Sequence, residues 1–428
     1  MNAPRVSLSV FHFNLQYVAG GLDNFFGQTV SEIAIEDAII VESFEPLVDL
    51  FERHPNWGGS FEMQGLMLEV MAQRHPEIAK RFHKLVRRGQ VDLMSFHWSD
   101  QLVTAYTWFD QEWSWLENQR IFDALCMPRS RAHFLQEGQF GPGLSAFVAD
   151  KENGVMVLPR NLLSYHHEPH PVGLYFKNDG HPVIVTNGHA QNVLEVGWNF
   201  ADDGELLATG NLNPYAFDVF KHNPEFLKKE YEDKLTALEA DGWVIAPISH
   251  YLALLEDRGV EPIAIDPPVL DGSWQPENSG NMFIWMGGEG LVPGDERDLA
   301  ILTGNVTVRS RLLAVETLIT LAEKQNVDTA LAKEWQRMAV RELLLAECSD
   351  TTGWRPQKNR SRLRSQTPGK GPGNGKQSGR LAPQIHGTNG DGGHQFKRRH
   401  FDRKRNFWRS AVQRNTHSGA RRTRRSSG

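Results

Sequence analysis

One carboxylate stands out for its setting. In Ala132-His133-Phe134-Leu135-Gln136-Glu137-Gly138-Gln139-Phe140-Gly141-Pro142-Gly143 an apolar run rises into Glu137, and a Gly/Pro turn follows at once. That order reads as a strand delivering one acid to its C-terminal end, then a loop that opens a helix. In barrel enzymes the side chains at those strand ends face the substrate, so a carboxylate there suits chemistry better than packing. The same residues also fit an exposed glutamate that begins a loop.

Other chemistry-bearing residues fall at similar places. His12 and Asn14 end the first predicted strand, and His97, Trp98 and Asp100 end the third. His12, between two phenylalanines, fits either a site residue or a satisfied core histidine. Trp98, Trp198, Trp274 and Trp285 flank turns or strand ends. Aromatic faces suit the apolar faces of sugar rings, though tryptophan packs well in cores too. The Asp271-Gly272-Ser273 turn beside Trp274 favours a binding role there, whereas Trp113 and Trp115, on a predicted helix, read as packing. His12 and Asn14 do not make a His-x-His metal pair. His166-His167-Glu168 with His170 has metal-like composition, but its loop context and spacing match no recognised ligand set and read as a solvated polar loop.

The elements that must position these residues alternate. Strand-like segments are expected at 6–14, 59–63, 91–98, 132–136 and 155–158. Helical segments are expected at 31–53, 66–88, 111–125 and 144–151, with Gly89-Gln90 ending the second. This alternation implies a parallel sheet with helices outside. From 163 to 210 short strands at 172–176 and 183–186 lie among Gly, Asn and His, as in an excursion above the sheet. Helix and strand return at 224–240 and 243–247, with a short helix at 248–257. Residues 297–347 read as two or three packed helices.

The chain has 428 residues, 40% hydrophobic and 23% charged, as in a soluble globular protein. No apolar run is long enough to span a membrane. Val6–Phe13 reads as a first strand and not as a cleavable leader. Two distant cysteines, Cys126 and Cys348, argue against a disulfide framework and for a reducing, cytoplasmic setting. The net charge of −6 hides a split: residues 355–428 carry +18, and the first 354 carry −24. The acidic body has no electrostatic reason to seek nucleic acid. Aliphatic residues become sparse after Trp354, and 368–375 cannot sustain a helix, so 355–428 is expected to be a disordered basic tail. Lys397–Arg409 mixes basic and aromatic residues as RNA-binding segments can, which makes a nucleic-acid-associated protein one alternative. The abrupt break near Trp354 also fits a shifted reading frame.

Several segments together resemble glycoside hydrolase family 57 and the related (β/α)7-barrel glycosidases, over roughly residues 7–354. They are Phe11–Tyr17; Glu62 with His75-Pro76-Glu77 and Arg88–Leu93; Phe134–Gly138; Asp271–Trp274 with Asn281–Trp285; and Arg341–Asp350. The His-Phe-Asn at the first strand end departs from the family's usual His-Gln-Pro.

The resemblance implies a retaining enzyme acting mostly on α-glucans, with polysaccharide or oligosaccharide as substrate, no metal and no cofactor. It makes Glu137 the nucleophile and places the general acid on a later strand before Ser273. Asp218 fits that place, ahead of a predicted helix, with Asp202 and Asp203 as fallbacks. It also implies that His12, Asn14, His97, Trp98, Ser273, Trp274 and Trp285 line the substrate. The expected fold is α/β, a (β/α)7-type barrel over 1–292 followed by a truncated helical segment over 293–354 and the tail at 355–428. The other alternative is a non-catalytic, carbohydrate-binding degenerate barrel.

Overall fold

The computed structural model describes residues 5–13, 15, 36–37, 39–94, 96–135, 138–167, 174–185, 189–190, 193–196, 231–273 and 296–348. The chain divides into two units, Met1–Ser365 and Gln366–Gly428, and every described residue belongs to the first. The expected tail at 355–428 lies outside the described residues.

The first strand, β1 (Arg5–Phe13), is buried on both sides. Val6, Leu8 and Val10 join one core cluster. Phe11 and Phe13 pack the other way, against Phe51, Phe44 and Phe61. A strand covered on both faces needs this near-continuous apolar run. Residues 39–44 form a π-helical turn that leads into α1 (Glu45–Arg53). The sequence predicts a continuous helix there; Pro46 cannot donate the backbone bond that would carry the preceding turn onward.

β2 (Gly59–Met63) follows as predicted. The single helix expected over 66–88 is two, α2 (Gly65–Arg74) and α3 (Pro76–Arg87). Pro76 restricts His75, which sits at φ −128°, ψ 55°, and breaks the ladder. Gly89, at φ +70°, ends α3. β3 (Val91–Leu93) is shorter than the predicted 91–98. His97 and Trp98 leave the strand because their carbonyls accept the first amides of α2, from Gly65 at 3.2 Å and Leu66 at 2.9 Å.

α4 (Trp108–Leu125) begins three residues earlier than predicted, because Asp110 accepts both the amide and the hydroxyl of Thr107. β4 (Ala132–His133) stops short of the predicted 132–136, and a Gly138-to-Leu135 bond closes a turn beyond it. α5 (Pro142–Glu152), β5 (Val155–Leu158) and α6 (Arg160–His166) come next. β6 (Tyr175–Asn178) and β7 (His181–Val185) form a hairpin around Asp179-Gly180, both at positive φ. Asp-Gly is a strong hairpin turn signal that shifts both strands from their predicted bounds. β8 (His189–Ala190), β9 (Val193–Val196), α7 (Glu232–Ala240), β10 (Trp243–Ala246), α8 (Ile248–Asp257) and β11 (Ile263–Ile265) complete the α/β part.

Among the described residues there are two sheets. One runs β3-β2-β1-β9-β8, with β10 also on β1; the other runs β11-β6-β7-β5-β4. Pairing is parallel except in the β6–β7 and β8–β9 hairpins. The Ser130 amide reaches the Leu93 carbonyl at 3.3 Å, stitching the sheets where β3 meets β4. One cluster drawn from both, including Val6, Leu8, Met94, Phe134 and Val157, fills the interior. A helical pair, α9 (Glu296–Lys324) and α10 (Ala330–Ala346), packs on α4. Its outer side leaves Val315, Leu318, Leu321, Leu331 and Trp335 exposed. Among the described residues no helix is long and apolar enough to cross a membrane.

Candidate functional site

β1, β2 and β3 run parallel, so their C-terminal ends lie on one side of their sheet. Open α/β sheets and barrels both place ligands there. The β1–β2 register sets His12 opposite Glu62.

Glu62 is fully buried at the end of β2. Its Oε1 lies 3.7 Å from Nε2 of His97, and Oδ1 of Asp100 lies 3.5 Å from the same nitrogen. The donor atoms of this trio all fall within 4.8 Å of one another, as a metal's ligands would. Gln64 organises the group: its Nε2 donates to Oδ2 of Asp100 while its Oε1 accepts the Leu15 amide at 3.2 Å. One side chain thus links the chain beyond β1 to the loop beyond β3. His133 of β4 is buried nearby, and burial together with His97 pushes its imidazole down to about 3, so it is neutral.

The loop that follows Glu137 is fastened on two sides. Gln139 donates to the Gln101 carbonyl at 2.9 Å and accepts the amide and hydroxyl of Thr104 at 3.1 and 3.0 Å. Phe140 and Gly272 exchange backbone bonds of 3.0 Å in both directions. Asp271 lies so close to Gly141 that a methyl group there would sit 2.1 Å from its Oδ1. Burial raises the Asp271 carboxyl above its ordinary value. The turn carrying the buried Ser273 is therefore docked on residues 140–141.

The helical pair braces the same region. Ser99 donates to the Leu344 carbonyl at 2.9 Å, the Leu102 amide to that of Glu347 at 3.2 Å, and Gln101 to the Glu347 carboxylate at 2.7 Å. Arg309 joins Asp110 to Glu347. Arg341 binds Glu69 at 2.6 Å and Glu117 at 3.2 Å, with its guanidinium over the Trp98 ring. For Glu117, burial raises the carboxyl, but Arg337, Arg341 and Arg120 outweigh it and hold the carboxyl low.

Of the residues picked from sequence, His97, Trp98 and Ser273 are described and buried. Trp98 is 1% exposed, with a face taken by Arg341. Asn14, Glu137, Trp198, Asp202, Asp203, Asp218, Trp274 and Trp285 lie outside the described residues. Trp113 is buried, and Trp115 packs beside the core and donates to Glu152, as helix tryptophans should. His166 and His167 are half-buried, and Glu168 and His170 lie outside the described residues.

Sequence reasoning passed over Glu62, Gln64, Gln139 and Arg309 as site-building residues. A polar Ser60/Glu62 alternation inside an otherwise apolar strand was the available signal for the first. Two residues within the family-like segments prove to have holding roles. Gln90 donates to the Phe51 and His54 carbonyls, capping α1. Asp92 accepts the Ser249 amide at the start of α8, and burial raises its carboxyl against the pull of the Ser249, Ser60 and Ser130 bonds.

No protein-family profile matches this chain. No curated protein sequence matches it. Solved structures do match. An exo-type maltose-forming amylase from Pyrococcus sp. ST04 aligns over 80% of this chain and 74% of its own, at 13% identity and a TM-score of 0.50. An α-mannosidase from Enterococcus faecalis V583 aligns over 84% of this chain and 41% of its own, at 10% identity and a TM-score of 0.52. A GH57-type branching enzyme from Pyrococcus horikoshii aligns over 84% and 88%, at 15% identity and a looser TM-score of 0.46. This chain spans less than half the length of the α-mannosidase. At these identities the first two likenesses establish a shared fold and nothing of the reaction.

Proposed function

We propose that this chain is a retaining glycoside hydrolase or transglycosylase that acts on α-linked glucans or oligosaccharides. The reading takes residues 1–292 as a closed (β/α)7-type barrel, 293–354 as a helical segment bracing its mouth, and 355–428 as a tail dispensable to the chemistry. One observation carries it. The loop just past Glu137 is fastened to Gln101 on one side and Gly272 on the other, so the acid's flank is held between the His97 and Ser273 loops. Nucleophilic catalysis needs a carboxylate held in place, and a fastened neighbouring loop supports that reading.

In the proposed reaction Glu137 attacks the anomeric carbon, and the bond to the leaving oxygen breaks as Asp218 gives it a proton. Water or an acceptor hydroxyl then attacks the glycosyl-enzyme, losing its proton to Asp218 and freeing Glu137. Retention requires the two carboxyls to lie about 5–5.5 Å apart. His12, Asn14, His97, Trp98, Ser273, Trp274 and Trp285 are proposed to line the sugar, Trp98 as a fixed wall braced by Arg341. The substrate is a polysaccharide or oligosaccharide, and the setting proposed from the two cysteines is cytoplasmic.

The test is a screen of the purified chain against α- and β-glycosides, repeated with Glu137→Gln and Asp218→Asn. Glu137→Gln should stay folded and lose several orders of magnitude in turnover, and azide should rescue Glu137→Ala as a glycosyl azide. Asp218→Asn should cripple natural glucans and spare glycosyl fluorides, whose departure needs little protonation. Unchanged activity in Glu137→Gln rejects the assignment. Sugar binding without turnover in every protein would favour a binding barrel.

A further inference from the structure

The Glu62, His97 and Asp100 side chains are only 0%, 2% and 0% exposed, yet they bring two carboxylates and an imidazole to one point. Carboxylates and imidazole gathered at one buried point are the donor types of a biological metal site. Two of the three donor separations come near what a bound cation requires, and the third is within 4.8 Å. A tetrahedral zinc-type ion, with bonds of about 2.0–2.2 Å, holds its donors about 3.3–3.6 Å apart. Nε2 of His97 lies 3.5 and 3.7 Å from the two carboxylate oxygens. An N–H···O hydrogen bond would draw such atoms to about 2.7–3.2 Å.

The surroundings also suit a ligand set. Gln64 takes Oδ2 of Asp100, which leaves Oδ1 turned to His97. Backbone bonds from Gly65 and Leu66 fix the carbonyls of His97 and Trp98 at the start of α2. Ligands oriented by neighbouring hydrogen bonds are the usual condition of a biological metal site. Neutral imidazole with carboxylates favours a borderline divalent ion over magnesium or calcium, which take oxygen donors alone.

From this geometry we infer that Glu62, His97 and Asp100 bind one divalent transition cation of the zinc type at the C-terminal ends of β2 and β3. Three protein donors leave a fourth position to water or a sugar hydroxyl. The site goes beyond the glycosidase reading, whose catalytic acids are other residues.

The experiment uses the full chain, stripped with a chelator, dialysed and titrated with zinc chloride by calorimetry, with bound metal counted by mass spectrometry. One equivalent is expected. His97→Gln and Glu62→Gln should each weaken it at least 100-fold, while a His166→Ala/His167→Ala double variant keeps it. Cobalt(II) added to the stripped wild-type chain should develop the intense visible absorption of a four-coordinate site, a readout that does not depend on any variant folding. No bound zinc and no cobalt band in the wild type would overturn the site. So would loss of zinc only in the His166/His167 variant. Because binding is read without turnover, a failed glycosidase assay leaves this result standing, and the reverse holds too.

Discussion

The guanidinium carbon of Arg341 sits 4.0 Å from the centroid of the Trp98 ring, while the same side chain binds Glu69 and Glu117. A residue on α10 thereby fixes an aromatic ring in the loop beyond β3, across 243 positions of sequence. Arg341→Met removes the charge but keeps much of the apolar stem. It leaves Glu69 short of its counter-ion, so it should cost about 3 kcal/mol, the low end for breaking a buried pair. Chemical denaturation measures this directly. Arg341→Lys keeps the charge but loses the planar fork and should recover only part of it. Full stability in Arg341→Met would mean that this arginine contributes nothing to holding the Trp98 ring.

Gln139 makes three hydrogen bonds that join the loop past Glu137 to residues 101–104. Gln139→Ala should cost about 1–3 kcal/mol through the polar groups left unmatched. If Glu137 is the nucleophile as proposed, the same change should lower kcat more than it raises KM, because it loosens the loop just past that residue. Equal stability and equal kcat would show that this tie is idle.

The reach of sequence reading follows what each signal depends on. β2 and α8 match their expected bounds because their apolar patterns and flanking turns act locally. The strand expected at 91–98 ends at Leu93 because distant amides of α2 claim the next carbonyls, and no pattern within 91–98 carries that information. Pro76 breaks a helix whose apolar spacing runs through it, so periodicity outweighed a legible breaker in the prediction. In the site, His97 was legible from its strand-end place. Glu62, in a buried strand, and Gln64, just past it, were not, since such polar residues acquire meaning only from partners 35 and 36 positions away, at His97 and Asp100.

Glu347 supplies a pH test. Burial, then the neighbouring Asp110, push its carboxyl up to about 8, against the pull of Arg309 and Gln101. Its ordinary value is 4.5, so the native state holds this proton more tightly than the unfolded chain does. The resulting stability is complete below the unfolded value and is lost as pH rises toward about 8. Between about pH 5 and 8 the denaturation midpoint should fall with rising pH at no more than about 1.4 kcal/mol per unit from this group. Glu347→Gln should flatten that slope. An unchanged slope would assign it to other groups.

The composition of residues 355–428, with 20 lysines and arginines and few aliphatics, predicts a segment open to trypsin. Brief digestion should remove it first and leave a body ending near residue 354, which mass spectrometry would identify. Resistance across Lys397–Arg409 would contradict the expectation and favour a folded or bound segment. Trimming that spares turnover supports a dispensable tail.

Two glycines at the start of α5 make a matched pair. A methyl group on Gly141 would lie 2.1 Å from Oδ1 and 3.0 Å from Cγ of Asp271, whereas one on Gly143 would meet nothing within 4 Å. Gly141 has φ −176°, extended backbone that any residue adopts, so its constraint is space and not conformation. Gly141→Ala must therefore push apart the loop past Glu137 and the turn bearing Ser273, at a cost of about 1–3 kcal/mol. Gly143→Ala, inside the first turn of the helix, should be neutral or stabilising by up to about 1 kcal/mol. Thermal or denaturant unfolding of the two variants separates these effects. In an active chain Gly141→Ala should also lower kcat, with Gly143→Ala as the control that changes a neighbouring residue without moving the turn. Equal behaviour of the two would mean that Asp271 swings aside freely, and the docking of the turn on the Glu137 loop would then be too soft to position a nucleophile.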